Sequence, residues 1–331
     1  MCHTRGFSYC IVNELSVYGL SNLLCVAVFE LGSTSFATQG ARVSRVVIEL
    51  TGLFSAAGSL FIVAAGLTLV FGAMRVINLS HGSFYMYGAF LTSTLVGTST
   101  GSRFWLAIVV ASLGVAVLGG VVGLGVIRFV VNRDPLTQLL ATFAVFLILA
   151  DLALHIWGTG YRAVPLPKSL SGHIAVAGTT IPSFDIFVVG VSVVVGFGLW
   201  ALLRHTQWGW RIRAAVDDPE VLEAGGVNLR RLQTSVFVLG SLLAGFGGAI
   251  VTPQISVAPG IDESIIVSAF LVAVIGGLGS VLGTAVGALI IAAAETLGAL
   301  LLPTWASSFT YVAVILVLAL RPSGLFGLAE R

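Results

Sequence analysis

Charge is what this chain has least of. Asp, Glu, Lys and Arg make up 9% of its 331 residues, where a soluble domain carries about 25%. That scarcity excludes an ordinary soluble domain. Lysine occurs once, as Lys168 in the stretch VPLPKSLSG. A phosphate-cradling GxxxxGK[ST] loop is therefore absent, and the chain is not expected to hydrolyse ATP by that route. Cys2, Cys10 and Cys25 all lie in the first 25 residues, with no CxxC and no Cys/His metal spacing. Neither disulfide, metal nor cofactor is expected from them. Polar–apolar alternation is missing as well, which argues against strands. The net charge of +2 says little about partners, because membrane orientation depends on where Lys and Arg sit. Nucleic acid is not expected among those partners.

What the chain has in abundance is apolar. Hydrophobic residues reach 57%, glycines number 40 and mean hydropathy is +1.05. The matching class is all-α, a polytopic transmembrane helix bundle of about 8–9 spans with interrupted helices in each half. Residues 1–45 stand apart. They are polar apart from one apolar run at 20–29, which is too short to span. We expect a poorly ordered N-terminal extension or a miscalled start, with Val43, Val46 and Val47 as sites for a GTG codon. Residues 46–331 then form the transmembrane domain, with a cytoplasmic loop at 204–232.

Hydropathy places spans near 51–72, 83–97, 104–127, 138–157, 184–203, 233–252, 264–302 and 306–320. The seventh is too long for one crossing of a core about 30 Å thick, so it must break, and the glycine-rich 276–280 is where it can. Five arginines (Arg204, Arg211, Arg213, Arg230, Arg231) lie in 204–232, and Arg128 and Arg133 in another short loop. The loop 253–263 holds no cation, only Asp262 and Glu263. The positive-inside rule then makes 128–137, 204–232 and the C-terminus cytoplasmic, and turns 158–183 outward.

The stretch AMRVINLSHGSFYMYGAF, residues 73–90, interrupts an otherwise oily sequence. Irregular polar backbone at membrane depth is tolerated only where protein or a water-filled cavity surrounds it. Asn78, Ser80 and His81 can satisfy backbone groups freed by a break, and Gly82 permits a turn or a close approach. The second half has its own interruption at Gly276, Gly277 and Gly279. Paired interruptions are the sequence mark of a transport path. We therefore take Asn78, Ser80, His81, Gly82, Tyr85, Gly276, Gly277 and Gly279 as candidate path residues. The competing reading makes 75–82 a cytoplasmic loop with interfacial residues, and His81 alone reads better as a hydrogen-bonded helix cap.

The loop 204–232 contains RIRAAVDDPEVLEAGGVNLRR. Helix formers run from Arg211 to Val216. Asp218 can then cap a new helix with Pro219 at its first position. Glu220 suits the positive dipole end, and Gly225 and Gly226 end the helix. Val221, Leu222, Ala224 and Val227 are apolar candidates for docking, either onto the chain's own bundle or into a partner's groove. Within the apolar runs, Asp151 and His155 lie four apart on one helix face and can pair. Glu295 is a functional suspect by default; it either lies near the external interface or pairs inside the bundle, and a structural role is preferred. Gly279, Gly283 and Gly287 read as a close-packing face rather than a ligand loop.

Three stretches in order are similar to one family. GLTLVFGAMRVINLSHGSFYMYGAF (66–90), GWRIRAAVDDPEVLEAGGVNLRRLQTSVFVLGSLLAGFGGAI (209–250) and AFLVAVIGGLGSVLGTAVGALIIAAAETLGALL (269–301) resemble permease subunits of branched-chain amino acid ABC transporters. LVLALRPSGLFG (316–327) extends the likeness, which covers about 46–327. The resemblance implies a non-enzymatic transport subunit of a bacterial plasma (inner) membrane. It implies cytoplasmic ATP-binding subunits, a second homologous permease subunit, an external solute-binding protein and surrounding lipid as partners. It places ATPase coupling on 209–228, hence on Arg213, Asp218, Pro219, Glu220, Ala224, Gly225 and Gly226. Glu223-Ala224-Gly225-Gly226 stands where many relatives carry bulkier apolar residues before a single glycine. Urea-type permeases look similar at the same motifs. A proton-coupled transporter working alone, through Asp151 and His155, is the rival class.

Overall fold

The computed structural model describes residues 19–97, 102–176 and 179–326, with side chains for 46–97, 103–175 and 179–326. The expectation for 1–45 lies outside the described side chains. The chain divides into two units, Met1–Val47 and Ile48–Arg331, and the second holds the bundle.

The helices are α1 (Gly19–Met74), α2 (His81–Val96), α3 (Ser102–Val122), α4 (Pro135–Trp157), α5 (Ser183–His205), α6 (Gln207–Asp217), α7 (Pro219–Ala224), α8 (Leu229–Val251), α9 (Ile261–Gly276), α10 (Val281–Leu301) and α11 (Ala306–Leu320). A π-turn, Gly123–Ile127, prolongs α3, giving a spanning stretch Arg103–Val130. Among the described residues, seven helices are long and apolar enough to cross a membrane. The eight to nine spans expected from hydropathy thus stand at seven by length. The shortfall lies in α2 and α9, each 16 residues and hence about 24 Å long, short of a core about 30 Å thick. One small hairpin departs from all-helix: β1 (His173–Val176) pairs antiparallel with β2 (Thr179–Pro182), Ile174 opposite Ile181.

The short helices are short because they begin inside the bundle. Helix α1 ends at Met74, but His81, the first residue of α2, sets its Nε2 2.9 Å from the Val63 carbonyl. Val63 lies 11 residues before Met74, about 16 Å back along the axis. Residues 75–80 therefore run back along α1 before α2 starts. A second re-entry comes from the opposite end. Gln254 bonds Asp185 at 2.7 Å and Ser55 at 3.3 Å. Ser55 is about 16 Å up α1 from Gly66, whose Cβ position touches the His81 ring at 3.0 Å. Residues 255–260 descend over that distance, and α9 starts beside α2. The sequence marks an interruption at 75–82 and a break at 276–280, but not the descent at 255–260.

Glycine permits the tight centre. A Cβ on Gly88 would run into the Gly245 backbone of α8, and one on Gly283 into Gly276 of α9. Around these contacts sit Phe84, Phe90 and Phe237, each fully buried, with Phe84 and Phe237 edge to face at 5.8 Å. Such pairs add directionality to burial. The close-packing expectation for Gly283 and Gly287 matches: Gly287 faces Val272 and Gly276.

Candidate functional site

Two helix N-termini meet in the interior. Ser80 caps α2 without a side-chain bond to its backbone; its hydroxyl donates instead to Asn78 Oδ1 at 2.6 Å. Gly82 packs directly on the Asp262 carbonyl, with Ile266 Cβ 2.9 Å from its Cβ position. Asp262 belongs to the first turn of α9 and is 1% exposed. The Ser83 hydroxyl donates to its Oδ2 at 3.4 Å. A carboxylate is tolerated there because helix N-termini present bare N–H donors and a positive dipole end. Sequence reasoning left Asp262 in an outer loop; only its contact with Gly82 reveals the burial.

Polar atoms around this node are incompletely satisfied. His81 is fully buried, and its Nδ1 has no partner, nor does Asn78 Nδ2. His81 does start a helix, but it bonds across to α1 rather than capping its own helix. Tyr85 is 6% exposed, and its carbonyl lies against Gly248.

The remaining path candidates lie elsewhere. Gly276 and Gly277 end α9, where the Phe326 N–H donates to the Gly276 carbonyl at 3.1 Å and the Leu325 N–H to that of Ile275 at 2.8 Å. Gly277 and Gly279 have φ of 95° and 96°, a region natural to glycine. Gly279 meets Gly72 of α1, its Cα 2.8 Å from the Gly72 Cβ position. The polar node at 78–85 and the glycine turn at 276–279 therefore lie apart. Of the eight path candidates, Gly279 alone lines the cavity of about 520 Å³ beneath them.

That cavity joins the second interruption to the arginine-rich segment. Its walls include Gly72 from the last turn of α1, Arg75 from the first break, Leu278, Gly279 and Ser280 from the second, and Arg213 and Asp217 from α6. Arg75 has φ +53°, the one non-glycine positive φ among the described residues, a conformation that strains an L side chain. Arg213 donates to the Leu203 carbonyl, anchoring α6 to the end of α5.

The 204–232 segment folds as its sequence indicates. Thr206 caps α6, Asp218 accepts from the Glu220 and Val221 N–H groups at 3.1 Å, and Pro219 is the first residue of α7. Gly226, at φ +84°, leads out. Leu222 is buried in the chain's own core beside Leu232, while Val221 is 66% exposed. Arg213, Asp218, Pro219, Glu220, Ala224, Gly225 and Gly226 are all exposed.

His155 Nε2 and Asp151 Oδ2 are 3.6 Å apart, but both side chains are exposed, at 78% and 73%. The pair lies on the outward face of α4. Glu295 is exposed on α10 and, among the described residues, makes no ion pair. No group of three metal-ligating side chains occurs among the described residues.

A sequence profile of the family described as branched-chain amino acid transport system, permease component, matches residues 49–319. The high-affinity branched-chain amino acid transport system permease protein LivH of Escherichia coli is 27% identical over 292 residues, covering 81% of this chain and 91% of that protein. BraD of Pseudomonas aeruginosa, of the same description, is 28% identical over 281 residues, covering 81% and 92%. The fructose import permease protein FrcC of Rhizobium meliloti is 27% identical over 260 residues, covering 74% of this chain and 66% of that protein. No solved structure matches.

Proposed function

Because this chain belongs to the family of branched-chain amino acid transport permease components, and is a multi-pass membrane protein, we propose that it is the translocating subunit of an ABC importer for those amino acids. A partner ATPase drives it, docked on α6 and α7. A second permease subunit and an external solute-binding protein complete the assembly. The 204–232 segment and the end of α11 face the cytoplasm, since that segment holds five of the 16 cations.

The observation that carries the mechanism is the shared cavity at Arg213, Gly72 and Gly279. A push on α6 reaches both interruptions without any intervening element. The chain does no chemistry. ATP binding and hydrolysis in the partner shift α6, the Gly72–Gly279 contact opens or closes, and access alternates. Solute passes the node at Asn78, Ser80, His81, Gly82 and Tyr85, then the turn at Gly276, Gly277 and Gly279. The unpartnered His81 Nδ1 and Asn78 Nδ2 support this, because a second conformation gives them something to bond.

Reconstitution tests the proposal. Proteoliposomes containing the chain, its companion permease and the ATPases import leucine only with ATP and loaded binding protein. Uphill uptake by this chain alone under a proton gradient overturns it, and so does energy-independent urea flux.

A further inference from the structure

On the half of the bundle remote from α6 lies a second cleft, of about 480 Å³, between α9, α10 and α11. Glu263, Ser268, Leu271, Glu295, Thr310 and Tyr311 line it. It lies far from the cavity at Arg213: Glu295 is 14 residues along α10 from Val281, about 21 Å.

Three observations bear on what this cleft holds. First, Glu295 sits six residues before the end of α10, about 9 Å inside a spanning helix. A carboxylate bared to hydrocarbon at that depth is strongly disfavoured, so lipid does not cover this face. Second, Thr310 is 5% exposed, yet its hydroxyl bonds nothing. Three other buried threonines, Thr92, Thr252 and Thr284, turn back to the carbonyl four residues earlier at 2.8–2.9 Å. Thr310 leaves that option unused, and the residue lines the cleft. Third, acceptors predominate: two carboxylates and several hydroxyls, with no cation in the lining. A pocket of a few hundred Å³ with few polar groups on an apolar wall suits a small solute.

We infer that this cleft receives the protonated amino group of an amino acid on its way in. The Glu295 and Glu263 carboxylates accept its N–H donors, the Thr310 hydroxyl accepts a further one, and Leu271 meets the aliphatic part. The inference rests on the import reading above and adds a recognition element for the ammonium group, separate from the node at Asp262.

The test uses the complete transporter in proteoliposomes, with radiolabelled leucine, ATP and loaded binding protein. Wild type, Glu295→Gln, the double variant Glu263→Gln with Glu295→Gln, and Glu295→Asp are compared for uptake, binding-protein-stimulated ATP hydrolysis and co-purification of the subunits. The double variant is expected to lose at least tenfold in leucine imported per ATP hydrolysed, with assembly and stimulated hydrolysis unchanged, and Glu295→Asp to keep at least a third. Uptake within twofold of wild type in the double variant overturns the inference. So does loss of the second permease subunit on purification, which would mean that a partner's cation fills the cleft. Failure of the wild type itself to import leucine is read in a separate arm and overturns the import reading instead.

Discussion

Ser83 and Asp262 lie 179 positions apart in the chain, yet the hydroxyl of one donates to the carboxylate of the other at 3.4 Å. Their meeting joins the first turns of α2 and α9, two helices that begin within the bundle. An interior helix start needs partners for its N–H groups. Here each start lies against the other, with one carboxylate near both positive ends.

Gly82 is the residue that permits this approach, since any Cβ there runs into the Asp262 carbonyl. Gly82→Val is expected to destabilise the bundle by about 1–3 kcal/mol, as overpacking does, and to abolish uptake. Thermal unfolding in detergent and transport by the full complex measure the two effects. Wild-type stability in this variant would show that α2 and α9 separate freely.

Arg75 carries an unfavourable φ of +53° and lines the cavity beneath the two breaks. Arg75→Gly removes the strain and is expected to raise stability by about 1 kcal/mol. Its uptake is expected to fall, because the side chain leaves the cavity wall. A variant both less stable and fully active would contradict both expectations.

Ala224 and Val221 are exposed at the tip of α7. Ala224→Glu and Val221→Asp are expected to leave the melting temperature unchanged and to weaken ATPase binding at least tenfold, or about 1.4 kcal/mol. Titration of the ATPase onto the chain in nanodiscs measures this. Unchanged affinity in both variants would move the docking surface away from α7.

Asp134 caps α4 outside the apolar stretch, accepting from the Thr137 hydroxyl at 2.7 Å and its N–H at 2.9 Å. The Thr137 hydroxyl, then its backbone N–H, hold the carboxyl below its ordinary 3.8. A depressed pKa contributes stability that is complete above the unfolded value and lost as pH falls through the lower folded value. Asp134→Asn should therefore melt below wild type at pH 7, and the gap should close only below about pH 4. A gap that closes near neutrality would assign it to another group.

Much of this was legible because polar residues are rare in the chain. Asn78, Ser80 and His81 announce a break by interrupting an oily run, and Gly276 to Gly279 do so by lacking side chains. Asp218-Pro219 announces a helix start through capping chemistry that acts within four residues. The descent at 255–260 was missed for the opposite reason. Its sequence, ISVAPG, reads as an ordinary loop, and the acid after it as solvated; burial of Asp262 is decided by Gly82, far away in the chain. Asp151 and His155 were legible as a pair but not as an exposed one, since the apolar pattern of α4 names no inner face. Glu295 gave no sign of lacking a partner, because a cleft formed by three helices leaves no local pattern.

Residues 325 and 326 lend two N–H groups to carbonyls at the end of α9 that would otherwise go bare beside the 277–280 turn. Those two bonds act as a strap across the hinge. Any motion that opens the turn must either snap them or tow the strap along, so a fluorophore attached at Phe326 would report that motion from the wall of the cavity beneath the turn.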